Sequence, residues 1–103
     1  MRIEYTANAE VDIEVATDQL VDDCGAHVAT LFRTRLQATL RKLATMPLAF
    51  PLVDPPPTNH PGLRVVPVTK FAARLIFYTP TDAGILVVRV SRAAGDWRAT
   101  LAD

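Results

Sequence analysis

Six prolines fall within residues 47–62, and this segment constrains the fold more than any other part of the chain. Pro47 disfavours helical geometry in the residue before it, so a preceding helix must end at or near Met46. Proline-rich segments form stiff, extended spacers without internal hydrogen bonds. We therefore expect a rigid connector between a mainly helical part and a strand-rich part, with a ligand for a proline-binding domain as the alternative.

Two helices are predicted before the connector. Thr6 is placed to cap the first helix, whose opening turns carry carboxylates that interact favourably with the helix dipole, and Gly25 is the predicted C-cap. One short turn then leads into the second helix, which predicts an antiparallel helical hairpin. Apolar residues recur on each helix at helical spacing and predict the faces that are buried: Ala9, Ile13, Ala16 and Leu20 on the first, and Val28, Phe32, Leu36, Leu40 and Leu43 on the second.

Four strands complete the predicted fold. Ile3 and Tyr5 alternate with charged residues and indicate a short N-terminal strand. Three more strands are expected at about 63–68, 72–79 and 84–91, the last two joined by the turn sequence TPTDAG. The sequence thus predicts one α+β domain over residues 1–103: an N-terminal strand, a two-helix hairpin, a three-stranded antiparallel sheet and a short helical turn around Trp97.

Composition narrows the class of protein. Half of the residues are apolar and 21% are charged, as in globular rather than disordered chains. No stretch approaches the roughly 20 apolar residues of a membrane helix, and the N-terminus lacks the apolar segment of a signal peptide. We expect no membrane association and a cytoplasmic location.

Net charge is zero, but its distribution is uneven. Residues 1–30 contain one cation and seven acids, whereas residues 31–103 contain ten cations and four acids. Such an asymmetry tends to orient a charged partner, although two solvated faces of opposite sign are an equally good interpretation.

The residues that usually carry catalysis form no recognisable group. His27 lies in the first turn of the second helix and His60 in the proline-rich segment, without the spacing of a metal site. Cys24 is the single cysteine, which excludes an internal disulfide, and we expect it to be a small buried residue. The sequence predicts no metal, no cofactor and no hydrolytic or nucleotide-binding site.

Arginines interrupt strands that are otherwise apolar on both faces. Strict alternation places Arg64 with Val66, and Arg74 with Ile76 and Tyr78. The same alternation places Arg89 with Ile85 and Val87, and Arg92 with Leu86, Val88 and Val90. A sheet with helices on one face should be polar on the other, so a second body is expected to cover it: a partner chain or the chain's own tail.

Four segments in this order resemble the ParE/RelE superfamily of bacterial toxins from type II toxin–antitoxin operons. They are YTANAEVDIEVA at the first helix, LFRTRLQATLRKLATMP at the second, GLRVVPV with ARLIFY in the sheet, and ILVVRVSRAAGDWRATL at the end. The resemblance covers nearly the whole chain and implies the same order of elements as the residue patterns.

The resemblance also implies a function. Superfamily members are toxins held inactive by a cognate antitoxin in a hetero-oligomer. The resemblance implies a ParD-like or related antitoxin for this chain. Such antitoxins often carry an acidic segment, which would complement the positive charge of the strand arginines. ParE-like members are associated with inhibition of DNA gyrase by protein binding. RelE-like members instead cut mRNA on the ribosome. Zero net charge and only two lysines favour the ParE-like alternative, because docking into ribosomal RNA calls for a basic surface.

Candidate site residues follow from the arginine pattern and the resemblance. A ribonuclease would use Arg64 and Arg89 to steady a phosphate. ParE-like chains commonly carry a His and an Arg after the last strand, where Arg92 and Gly95 stand here, and this departure raises a third alternative, a non-toxic antitoxin-binding relative. The expected antitoxin- or target-binding residues are Arg64, Val66, Arg74, Ile76, Tyr78, Arg89, Arg92 and Trp97.

Overall fold

A computed structural model describes residues 1–101 of the chain and confirms the predicted α+β fold and order of elements. The later strands agree with their predicted limits to within one residue at each end. The elements are β1 (Arg2–Tyr5), α1 (Ala7–Cys24), α2 (Ala26–Thr45), β2 (Arg64–Val68), β3 (Phe71–Pro80), β4 (Gly84–Arg92) and α3 (Trp97–Leu101).

The sheet has four strands in the order β1-β4-β3-β2. The last three strands form the predicted antiparallel meander, and β1 joins it as a parallel neighbour of β4. Gly84 allows this pairing, because a Cβ atom there would overlap the Arg2 carbonyl oxygen and lie 2.8 Å from the Arg2 nitrogen. The N-terminal strand therefore closes one edge of a mixed sheet.

The helical hairpin begins and turns at the predicted residues. The Thr6 hydroxyl accepts the Ala9 N–H at 3.0 Å and donates to the Val88 carbonyl at 2.7 Å, which joins the start of α1 to β4. Gly25 alone separates the two helices and has a φ of 92°, a conformation that side chains with a Cβ rarely adopt. The α2 helix ends at Thr45, directly before Met46, as the following proline requires.

The main core lies between the helical hairpin and one face of the sheet. Both predicted helix stripes contribute to it, with Ile13 and Leu20 only partly buried against it. Val28 is partly buried and does not belong to this cluster. The Phe32 and Phe71 rings meet edge to face with centroids 5.3 Å apart. The strand residues of this cluster are Val66, Val68, Ile76, Tyr78, Ile85, Val87 and Val90.

The proline-rich connector does not run as an extended spacer. It turns repeatedly and folds back along the outer edge of β2, where Leu52 forms a bridge with Arg64 and the Val53 N–H donates to the Leu63 carbonyl at 2.9 Å. The Tyr78 hydroxyl also donates to the Pro47 carbonyl at 2.8 Å. The connector is thus an integral part of the fold that covers an exposed strand edge.

The second face of the sheet is covered by the chain itself. Phe77 and Val88 form a smaller cluster there with Val53 of the connector and Leu101 of α3. The Trp97 ring lies against the Phe77 ring with centroids 5.1 Å apart. Of the two predicted covers, the structure therefore shows the chain's own tail.

Candidate partner-binding site

Three of the predicted contact residues belong to the core. Val66 is 8% exposed and Ile76 and Tyr78 are fully buried between the sheet and the helices. Their side chains hold the fold together and are closed off from a partner in this conformation. The apolar character that suggested a binding surface is explained by internal packing.

A bulge changes the face on which the β4 arginines lie. The register of β3 against β4 shifts between Phe77 and Tyr78, so one residue of β4 has no partner across the sheet. Val90 consequently joins Ile85 and Val87 in the core cluster beneath the helices. The strict alternation used to group Arg89 with Ile85 and Val87 is therefore wrong beyond Val88.

Arg64 stabilises the connector. One guanidinium nitrogen donates to the Phe50 carbonyl at 2.5 Å and, more weakly, to the Leu48 carbonyl at 3.4 Å. Its Nε atom is buried without a hydrogen-bond partner in the described part of the chain. These contacts fix the guanidinium against the backbone rather than presenting it to solvent.

Arg89 forms a two-point ion pair with Asp12 of α1. Its Nε lies 2.7 Å from Asp12 Oδ2 and its Nη2 lies 3.0 Å from Asp12 Oδ1, with both side chains less than one-fifth exposed (17% and 15%). Asp12 Oδ2 also accepts the Val90 N–H at 3.0 Å. This arrangement joins α1 to β4 next to the bulge and uses charge-assisted bonds, which are the stronger kind.

Arg74 and Arg92 lie opposite each other at the end of the β3–β4 ladder. They line a shallow groove of about 230 Å³ that is also bordered by Val15 and Gln19 of α1. An Arg74 guanidinium nitrogen lies 3.2 Å from Gln19 Oε1. Partial burial lowers the pKa of Arg74, the neighbouring Arg92 lowers it further, and Asp23 opposes both effects.

Trp97 covers the second face of the sheet from α3. The Arg98 guanidinium carbon lies over the Trp97 ring, 4.8 Å from the ring centroid. Arg98 in turn donates to the Asp54 carbonyl at 2.6 Å and the Pro55 carbonyl at 3.1 Å. Trp97 is partly buried by these contacts and connects the tail to both the sheet and the connector.

Sequence reasoning missed Asp12, Val15 and Gln19 as residues of the site. Asp12 was one of several helix acids, and nothing local relates it to Arg89, which lies 77 residues further along the chain. Val15 and Gln19 fall outside the α1 stripe, and their exposure beside β4 follows only from how the helix sits on the sheet. A pairing between distant elements is needed to find them.

The remaining candidates for chemistry stay apart. Cys24 is exposed in the last turn of α1, beyond the end of the stripe that faces the core, so the prediction of a buried cysteine is wrong. His27 is exposed on α2 and His60 lies in the connector. Within residues 1–101, no three His, Cys, Asp or Glu side chains are grouped as a metal site would need. None of the helices described there has the length and apolar character needed to span a bilayer.

Comparison with known proteins identifies the family. The family model of the ParE toxin of the type II toxin–antitoxin system, parDE, matches residues 3–97. The chain belongs to the ParE toxin family. The match runs from the second residue of β1 to the first residue of α3, so the ParE toxin family accounts for nearly the whole fold.

A solved structure shares this fold. A chain described as the chromosomal ParDE toxin–antitoxin system from P. aeruginosa superposes with a TM-score of 0.70 at 17% sequence identity. The similarity covers 89% of this chain and 95% of that chain. No curated protein sequence matches this member of the ParE family.

Proposed function

We propose that this protein is the toxin of a type II toxin–antitoxin pair, that a cognate antitoxin neutralises it, and that it acts in the cytoplasm by binding DNA gyrase. Membership of the ParE family supports the toxin assignment. The gyrase target comes from the resemblance of the chain to ParE-like rather than RelE-like toxins. In this proposal the protein is a binding poison with no chemistry of its own.

One observation carries the choice between binding and catalysis. A ribonuclease would need Arg64 and Arg89 directed at a phosphate, yet Arg64 is bonded to the Phe50 carbonyl and Arg89 is paired with Asp12. Releasing Arg89 would break a partly buried ion pair, which costs several kcal/mol. The contacts of both arginines within the fold therefore account for their presence without a role in catalysis.

The toxin assignment is tested by controlled expression. Induction of this chain alone should arrest growth, and co-expression with the small reading frame adjacent to its gene should restore it. A stop codon early in the toxin gene is the matched control. Normal growth under strong induction, with soluble protein verified on a gel, would favour the non-toxic relative suggested by Arg92 and Gly95.

The target is tested with purified components. The protein should inhibit supercoiling of relaxed plasmid by gyrase, and prior addition of the antitoxin should abolish the inhibition. In parallel, mapping of mRNA 5′ ends after induction should show no new cuts within translated codons. Cuts that disappear in Arg64→Ala or Arg89→Ala variants of verified stability would replace this proposal with the RelE-like ribonuclease.

A further inference from the structure

The groove between α1 and the end of β4 places two cations side by side. Arg74 and Arg92 are direct partners across the β3–β4 ladder. Like charges in directly opposed positions destabilise a sheet, because neighbouring side chains there are only about 5 Å apart. A fold keeps such a pair at a cost unless something of opposite charge joins it.

The described chain does not neutralise this pair. Arg74 bonds to the uncharged amide of Gln19, and within residues 1–101 the Arg92 side chain makes neither a hydrogen bond nor an ion pair. Asp23 attracts Arg74, but burial and Arg92 outweigh it in their effect on the pKa of Arg74. Arg89, in the same groove, is matched by Asp12. The unmatched positive charge is therefore at the Arg74–Arg92 end.

An exposed valine of α1 lines the same groove. Val11 and Val15 lie one helical turn apart on α1 and are 56% and 47% exposed, and Val15 lines the groove itself. The occupant should therefore combine carboxylates with apolar side chains. An amphipathic acidic peptide fits this combination.

A nucleic acid fits the groove less well. Its phosphates would follow one another along the backbone, and α1, which forms one wall, carries six acids and no cation. Those carboxylates would repel every phosphate beyond the two arginines. A peptide can place one carboxylate between the arginines and present apolar side chains elsewhere.

We propose that an acidic amphipathic segment of the antitoxin binds in this groove, with a carboxylate between Arg74 and Arg92 and an apolar side chain against Val15. This inference rests on the proposed function, since it assumes that the chain has an antitoxin. It narrows the contact from the many candidate residues on the strands to one end of the β3–β4 ladder.

The test measures binding of the purified antitoxin from the adjacent reading frame by titration calorimetry. An Arg74→Ala/Arg92→Ala double variant should bind about 10- to 100-fold more weakly, as expected for loss of a charge-assisted contact at an interface. Its affinity should also depend less on salt than that of the wild type. Arg41→Ala, which removes an exposed arginine of α2 outside the groove, should bind within about 2-fold of the wild type.

A second variant and a stability check separate loss of binding from loss of folding, and synthetic peptides identify which antitoxin segment binds. Arg74→Lys/Arg92→Lys keeps both charges and should retain most of the affinity for the antitoxin. Binding is compared only among variants whose urea denaturation midpoint equals that of the wild type. Overlapping synthetic peptides that span the antitoxin should identify one acidic segment whose binding is lost when its carboxylates become amides.

The outcomes are distinct. Wild-type affinity in the double-alanine variant would overturn the groove assignment while leaving the toxin–antitoxin pairing intact. Binding of a labelled DNA or RNA oligonucleotide that depends on Arg74 and Arg92 would assign the groove to nucleic acid instead. Failure of the wild type itself to bind any adjacent gene product would overturn the proposed function together with the groove.

Discussion

Asp12 is the side chain through which α1 holds the bulged part of β4. It accepts two bonds from Arg89 and one from the Val90 N–H, the latter at 3.0 Å. Loss of its charge leaves a partly buried guanidinium without its counterion. The ion pair is thus a structural contact whose removal should be costly, unlike most pairs on protein surfaces.

We expect Asp12→Asn to lower the free energy of unfolding by about 2 to 4 kcal/mol, because it removes the counterion of Arg89. Urea denaturation followed by circular dichroism measures the change. Glu4→Gln is the matched control, since the Arg2–Glu4 pair is 3.4 Å long and largely exposed, and it should cost less than about 1 kcal/mol. Equal effects of the two changes would mean that the Asp12 pair is no stronger than a surface contact.

Tyr78 should make the stability of the protein depend on alkaline pH. Burial raises the pKa of its phenol above the ordinary value of 10.0, and Arg64 opposes the shift. The folded state therefore holds this proton more tightly than the unfolded state. The contribution of the protonated phenol to the free energy of unfolding is complete below pH 10 and is lost as the pH rises through the pKa of the folded state.

Comparison with Tyr78→Phe isolates this effect. At neutral pH the wild type should be more stable by about 1 kcal/mol, because its hydroxyl donates to the Pro47 carbonyl. Above pH 10 that advantage should shrink. Urea unfolding of the wild type and of Tyr78→Phe at neutral pH and above pH 10 measures this difference in stability. A difference that stays constant or grows above pH 10 would contradict a raised pKa of Tyr78.

Among the elements, the start of β1 fits against β4 because Gly84 has no side chain. Gly84 faces the Arg2 backbone so closely that a Cβ atom would overlap the Arg2 carbonyl oxygen. Gly62 provides a contrast, because a Cβ there would lie 3.6 Å from Thr79 Oγ1, an ordinary contact distance. One glycine is thus required by packing between two strands and the other is not.

Gly84→Ala should displace β1 and lower the free energy of unfolding by about 2 kcal/mol or more, in the range of changes that force a backbone shift. Gly62→Ala should remain within about 1 kcal/mol of the wild type. Urea denaturation gives both values, and amide hydrogen exchange should show faster exchange at the β1–β4 pairing in Gly84→Ala alone. Unchanged protection there would show that the sheet tolerates the extra carbon.

At the scale of the whole molecule, the chain covers both faces of its sheet. The helical hairpin covers one face, and the connector with α3 covers the other. The two-sided apolar strands therefore do not require an antitoxin to complete the core. What remains for a partner is the surface left outside these clusters, including the exposed valines of α1.

The protein should consequently fold without its antitoxin. After separation from the antitoxin in denaturant and refolding alone, it should unfold in one cooperative transition. Trp97, the single tryptophan, reports on α3 by fluorescence, and circular dichroism reports on the helices; the two midpoints should coincide. A refolded state that binds the dye ANS and lacks a cooperative transition would show that the core needs the partner.

The local part of the fold could be predicted from the sequence because it depends on near neighbours along the chain. Thr6 and Gly25 begin and end α1 through contacts within a few residues, and the α2 stripe appears directly in the spacing of Phe32, Leu36 and Leu40. The TPTDAG turn likewise gives the β3–β4 hairpin. Periodicity and turn chemistry were therefore sufficient for the order and limits of the elements.

The site could not be predicted in the same way, because it depends on which distant residues meet. The bulge beside Val88 reversed the faces expected along β4, and the partnership of Asp12 with Arg89 crosses most of the chain. Residue patterns along the chain were enough to predict the order of elements and the family. The three-dimensional contacts were needed to show that the apolar strands are covered from within and that, among residues 1–101, no carboxylate forms an ion pair with Arg74 or Arg92. Burial and charge pairing arise from contacts between elements rather than within them.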